Sequence, residues 1–213
     1  MRRPTAATLG IVLIVVALGG YVATAAPPGP RSMRQFDPQR LADLELQMWQ
    51  AYYEKRNVHL FALLVTMLRE QYHYSWATAS REAFHLARAA ATFGNARSNY
   101  EVVLPDLEAG YTTARDWLGE DFDPRAVARA ELAWWVARRI DGQNSPGQVG
   151  GLIADEYALL YSTPRERVLE SGILRARAGR LRDETATRPD WNEVGRLLTA
   201  SYVELAKAVS PFP

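Results

Sequence analysis

The chain contains no cysteine, so it carries no disulfide, no thiol-linked lipid anchor and no thiol nucleophile. Lysine is almost absent too. Lys55 and Lys207 stand alone and arginine supplies the positive charge, a bias of base composition to which no function attaches. The 25 basic side chains oppose 24 acidic ones. Setting aside Arg2, Arg3, Arg31 and Arg34, the only charges before Phe36, leaves 21 against 24, a net of −3. Such a domain lacks the basic footprint that nucleic-acid binding needs. No segment alternates with period two between turn signals, so no strand is expected. No glycine-rich loop follows a strand, and no Ser/His/Asp set has local motif support.

The one long apolar run is confined to the N-terminus. Met1-Arg2-Arg3 precedes an uncharged stretch from Thr5 to Ala26, long enough to cross a bilayer core as a helix of roughly 20 residues. A basic start, an apolar middle and the small residues Ala23-Thr24-Ala25 also describe a cleavable signal peptide. Residues 1–26 are therefore expected to be a transmembrane anchor or a signal peptide. The domain that follows is placed on the periplasmic or extracytoplasmic face of the cell membrane, or secreted after cleavage. Residues 27–35, opening with Pro27-Pro28-Gly29-Pro30, read as a proline-rich linker, a stiff spacer holding the domain off the membrane.

The remainder says one thing twice. Phe36-Asp37-Pro38 is followed by Ala42, Glu45, Leu46, Trp49 and Ala51. Phe122-Asp123-Pro124 is followed by Ala128, Glu131, Leu132, Trp135 and Ala137 at the same relative positions. The offset is 86 residues, and it carries Glu70 onto Glu156. It drifts to 91 for Leu107 with Leu198, Ala109 with Ala200 and Tyr111 with Tyr202. A tandem duplication with a short insertion explains this. It defines helical repeat 1 over 36–121 and helical repeat 2 over 122–213.

Both repeats read as helical. Asp37-Pro38 and Asp123-Pro124 put a capping acid before a proline at the first helical position. Leu41, Leu44, Met48 and Tyr52 mark one buried face. Further helices are expected from about Leu60, from Trp76 to Phe93, and after the capping box Ser98-Asn99-Tyr100-Glu101. In the second repeat, Thr163-Pro164-Arg165-Glu166 is a capping box with an N1 proline, and Asp190-Trp191-Asn192-Glu193 opens the last helix. The expected fold is all-α, a tandem duplication of a four-helix unit. About eight helices pack with pseudo-two-fold or solenoid-like symmetry.

Four glutamates fall on apolar faces. Glu45 lies with Leu41, Leu44 and Met48, Glu131 with Val127 and Trp134, Glu70 with Leu63 and Met67, and Glu156 with Leu152 and Ile153. Buried carboxylates are costly unless paired or metal-bound. Counting residues from the turns near Asn57 and Asn144 sets Glu45 level with Glu70, and Glu131 level with Glu156, along antiparallel helices. Glu70-Gln71-Tyr72-His73, with Glu45 on the preceding helix, resembles half of the carboxylate-bridged di-metal site of ferritin-like bundles. That resemblance implies iron or manganese held by Glu45, Glu70, His73, Glu131 and Glu156, with oxidase or storage activity. Leu159 stands where the second histidine of that pattern would be. The competing reading is structural. The same glutamates accept hydrogen bonds and ion pairs from Arg88, Arg175, Arg177, Tyr111 or Tyr202 and set helix register.

Trp49, Tyr52, Tyr53, Trp134 and Trp135 cluster at corresponding places, as core or as the lining of a groove for an apolar ligand or a partner helix. The function expected from these features is a membrane-tethered extracytoplasmic helical binding or scaffold protein. It would dock on a membrane or envelope complex through a protein partner, without an identifiable catalytic activity or cofactor. The metal protein is the alternative.

Overall fold

The computed structural model describes residues 16–185 and 187–210. Among them the chain is all-helical, with no strand. Residues 16–24 are helical, and eight α-helices follow: α1 Pro38–Tyr53, α2 Asn57–Tyr72, α3 Trp76–Asn95, α4 Leu104–Leu118, α5 Pro124–Ala137, α6 Pro146–Leu160, α7 Arg165–Glu184 and α8 Trp191–Val209. A short 3-10 helix, Tyr100–Val103, leads into α4. Half of the apolar run expected to cross a membrane, residues 5–15, lies outside the described residues. Among those described, no helix is long and apolar enough to do so.

Local chemistry starts several of these helices where expected. The Asp37 carboxylate accepts hydrogen bonds from the Gln39 and Arg40 amides at 2.9 and 3.1 Å. Asp123 accepts from the Arg125 amide at 3.0 Å. Each occupies two or fewer of the orphan donors that open a helix, and the prolines that follow have no N–H to satisfy. Ser75 caps α3 and Asp190 caps α8 in the same manner.

Two expected capping boxes do not form. Asn99 takes a left-handed conformation before the 3-10 turn, and α4 begins only at Leu104, without a side-chain cap. Pro105 is the reason: it is tolerated in the first turn of a helix and disruptive deeper inside. At α7 the N-cap is Pro164, again without a side-chain hydrogen bond, so Pro164 precedes the first helical position rather than filling it.

Helix packing closes into a ring. Each helix packs on the next in sequence, and α8 packs back on α1. The arrangement is therefore not an open solenoid. The closest approach is between α6 and α7. A Cβ at Gly150 would come within 2.6 Å of the Ile173 Cα, and one at Gly172 would strike the Gly150 carbonyl oxygen. A continuous core of Leu41, Leu44, Leu68, Val127, Ile153, Val168, Leu198 and Leu205 runs through both halves of the chain.

The proline-rich segment is not a free spacer. Arg69 donates to the Ala25 carbonyl at 3.2 Å, and the Arg31 guanidinium lies 4.0 Å from the Trp117 ring centre. The Arg34 guanidinium donates to the Tyr161 carbonyl at 2.5 Å, and the Gln71 side chain accepts from the Asp37 amide at 2.9 Å. The Met33 side chain is buried. These contacts strap residues 25–37 across the C-terminal ends of α2, α4 and α6. Stiff prolines favour an extended path, and the arginines and Met33 on either side fasten it down.

Candidate functional site

Three of the four expected glutamates do meet inside the ring. Glu45 on α1 accepts from the Trp49 indole at 3.1 Å, from the Tyr202 hydroxyl at 2.6 Å, and from the Arg175 guanidinium, whose Nε is 3.0 Å from Oε1. A second Arg175 nitrogen completes the pair on the same oxygen. Tyr202 and Arg175 come from α8 and α7, so this carboxylate joins three helices. Across the ring, the Tyr111 hydroxyl of α4 lies 2.9 Å from Oε2 of Glu131 on α5 and 3.2 Å from Oε1 of Glu156 on α6. The Trp134 indole donates to the other Glu156 oxygen at 2.5 Å. The Arg175 guanidinium also faces the Trp134 ring, 4.9 Å from its centre.

Proton counting constrains this cluster. A phenol donates one hydrogen bond, yet Tyr111 sits within hydrogen-bond distance of two carboxyl groups. Both contacts are hydrogen bonds only if one carboxyl keeps a proton and donates it back to the phenol oxygen. The Glu131–Glu156 pair shares that proton, and the rise in pKa is large at Glu131. Burial, then the charge of Glu156, push its pKa up to about 8. By surface area Glu131 is only half-buried, and it lines the cavity described next. Burial raises Glu156 as well, opposed by Arg175. Burial works against the Arg175 cation, but Glu45, Tyr157, Tyr202 and Glu156 together outweigh it and raise its pKa well above the usual arginine value.

The cavity has a volume of about 340 Å³. Trp49, Tyr52, Tyr53, Phe93, Trp134 and Trp135 line it with aromatic rings. Leu60, Leu64, Leu86 and Ala90 add aliphatic surface, and Glu45, Glu131, Arg175, Arg138, Arg139 and Asp183 supply its polar groups. Arg138 donates to Asp183 at 2.8 Å and to the Tyr53 hydroxyl at 3.1 Å. The lining residues occupy the C-terminal halves of α1, α3, α5 and α7 and the N-terminal half of α2. That is the end of the ring opposite the strapped segment 25–37. Helical spacing suggested core or groove lining for the aromatic cluster, and it forms both.

The remaining expected residues lie elsewhere. Glu70 is exposed on α2 and paired with Arg40 at 2.8 Å; it does not face Glu45. The buried stripe of α2 runs through Leu60, Leu64, Leu68 and Gln71, which rotates Glu70 to the surface. His73 is the left-handed C-cap of α2, beside Gly29 of the strapped segment. The Glu-x-x-His pair is thus outside the ring's interior. Among the described residues, no group of three or more His, Asp and Glu side chains is placed to hold a metal ion.

Arg175, Tyr111 and Tyr202 take the partner roles expected of them. Arg177 is exposed, and Arg88 instead bonds Asp106 at 2.6 Å, where His85 also meets that carboxylate at 2.9 Å. Arg138 and Asp183 were not foreseen. Each stands beside other charges, Arg139 next to Arg138 and Arg182 and Glu184 around Asp183, so neither carries a local signal.

Chemically, the arrangement offers an aromatic chamber with an acid in its wall and an ion pair at its base. The lining contains no serine, threonine or histidine. No family model, no curated protein and no solved structure matches the chain.

Proposed function

We propose that this chain is a binding protein, and that the aromatic cavity inside its helical ring is the binding site. The observation that carries the reading is the cavity itself. Its volume of about 340 Å³ falls in the range of small-molecule sites, which are concave, mostly apolar and furnished with a few convergent polar groups. A partner helix is about 10 Å across with its side chains, more than a cavity of this volume admits.

The apolar run of residues 1–26 supports a tether in, or export across, the cell membrane, with the ring on the extracytoplasmic side. A protein partner in a membrane or envelope complex is part of this reading. The strapped segment 25–37 would then hold the ring close to the bilayer, with the cavity at the far end and open to the aqueous compartment.

The pseudo-symmetry supports descent from a duplication. Glu45 with Tyr202 and Glu131 with Tyr111 are corresponding pairs in the repeat alignment, and each pair crosses one of the two seams, α8 on α1 and α4 on α5. Arg175 has no counterpart and breaks that symmetry, which makes one side of the chamber an ion pair and the other an acid.

The test is direct. Full-length protein in lipid nanodiscs is titrated with 3-methylindole, and quenching of tryptophan fluorescence is read for wild type and Ala90→Trp, which fills the chamber. Saturable binding abolished by the substitution supports the reading; no binding to wild type refutes it. Carbonate extraction and protease accessibility in intact cells test the membrane placement separately.

A further inference from the structure

The cavity holds three carboxyl groups, and two have a counter-ion. Glu45 has Arg175, and Asp183 has Arg138. The described ion pairs leave Glu131 without one, so its carboxyl meets the Tyr111 hydroxyl and, through it, Glu156. A buried carboxyl without a cation is costly to ionise and therefore reserves a place for one. The rings around it already accept cations. Arg175 lies over Trp134 at 4.9 Å, Arg138 over Trp49 at 5.6 Å and Arg139 over Phe93 at 3.7 Å from the ring centres. Aromatic faces attract cations most strongly when water is excluded.

Building on the reading of the chamber as a binding site, we propose that its ligand is an organic amine, an ammonium group carried on a flat apolar body. The ammonium sits on Glu131, and the body lies between the aromatic walls. An anionic ligand fits the same walls less well. Arg175 and Arg138 are held by carboxylates, and Arg139 is exposed at the edge.

The charge balance of binding is explicit. The amine arrives protonated and keeps its proton. Glu131, which holds a proton in the empty site because burial pushes it up to about 8, gives that proton to the buffer. The groups facing it are Tyr111 of α4, Glu156 of α6, Arg175 of α7 and Glu45 of α1. Burial raises Glu156 as well, opposed by Arg175.

The experiment uses three probes with one indole body: tryptamine, 3-methylindole and indole-3-acetate. Each is titrated calorimetrically at pH 7 into full-length protein in nanodiscs, in phosphate and in Tris, whose different ionisation heats report proton release. The expected result is that tryptamine binds about tenfold or more tighter than 3-methylindole, the scale of one charge-assisted hydrogen bond. It should release close to one proton, while indole-3-acetate binds weakest. Glu131→Gln should remove the amine preference and the proton release.

Equal affinity for amine and neutral probe overturns the amine assignment and leaves the cavity as a site. Tightest binding of indole-3-acetate overturns it in favour of Arg138 and Arg139. Absence of binding by all three overturns the cavity reading as well. The comparison of probes on wild type stands whether or not the variant folds.

Discussion

Replacing Glu131 by Gln should stabilise the protein, and by an amount that depends on pH. Glutamine mimics the neutral acid, so the variant removes the need to hold a buried carboxylate. A carboxyl raised from 4.5 to about 8 corresponds to about 5 kcal/mol, at ~1.4 kcal/mol for each tenfold change in proton affinity. That is a ceiling, because water in the cavity solvates the ionised group; roughly 1–3 kcal/mol is expected. The sign follows from proton binding. Between pH 4.5 and 8 the folded state keeps a proton that the unfolded chain has lost, so wild-type stability falls as pH rises through that window.

The difference between Glu131→Gln and wild type should be near zero at pH 4–5, grow through pH 8 and level off above it. Urea unfolding followed by circular dichroism across this range measures it. Glu82 is also buried, and burial pushes it up to about 8. It adds the same slope to both proteins and cancels in the difference. A difference that stays constant with pH would refute the assignment of the proton to Glu131.

Removing Arg175 as Arg175→Met leaves the Glu45 carboxylate buried without its cation, and should cost about 3–5 kcal/mol in urea unfolding. Adding Glu45→Gln should recover part of that loss, and strict additivity would argue against the pair. Gly172→Ala drives a methyl group into the Gly150 carbonyl at the α6–α7 crossing and should lower stability by roughly 1–3 kcal/mol. In the strapped segment, Gly29 has φ +147 and lies against His73. Gly29→Ala should detach the strap and speed proteolysis at the arginines of 31–34 without lowering the unfolding midpoint of the ring; unchanged cleavage would contradict the strap. Protein grown with iron and manganese should purify without stoichiometric metal. Metal that is bound and then lost on Glu45→Ala would restore the di-metal reading.

Much of the helical plan was legible because it is written locally. Asp37-Pro38 and Asp123-Pro124 start helices through contacts within three residues, and the inward faces of α1 and α5 follow from their own periodicity. Glu70 lies apart from Glu45 because Leu63 and Met67 form the margin of the buried face of α2: Leu63 is buried, Met67 only partly, and Glu70, a turn further on, is exposed. How far that face extends is set by packing on α1 and α3, not by the segment itself. The capping boxes at Ser98 and Thr163 lost to the positions of Pro105 and Pro164.

The glutamates were recognisable as unusual, but their partners lie up to 157 residues away in sequence, as Tyr202 does from Glu45. No local pattern encodes such a contact. The chamber itself arises from ring closure by α8 on α1, a property of the whole chain. Arg138 and Asp183 were overlooked for the same reason: each is an ordinary surface charge until two distant helices bring them together.

The central claim is that the ring encloses a site built for a cation on an apolar body. The most direct measurement is a crystal structure of the protein soaked with tryptamine. The account expects the indole between the walls of Trp49 and Trp135 and the ammonium within about 3 Å of a Glu131 carboxyl oxygen, the ordinary range of a charge-assisted hydrogen bond. Tryptamine bound outside the ring, or inside it with its ammonium turned away from Glu131, would contradict it.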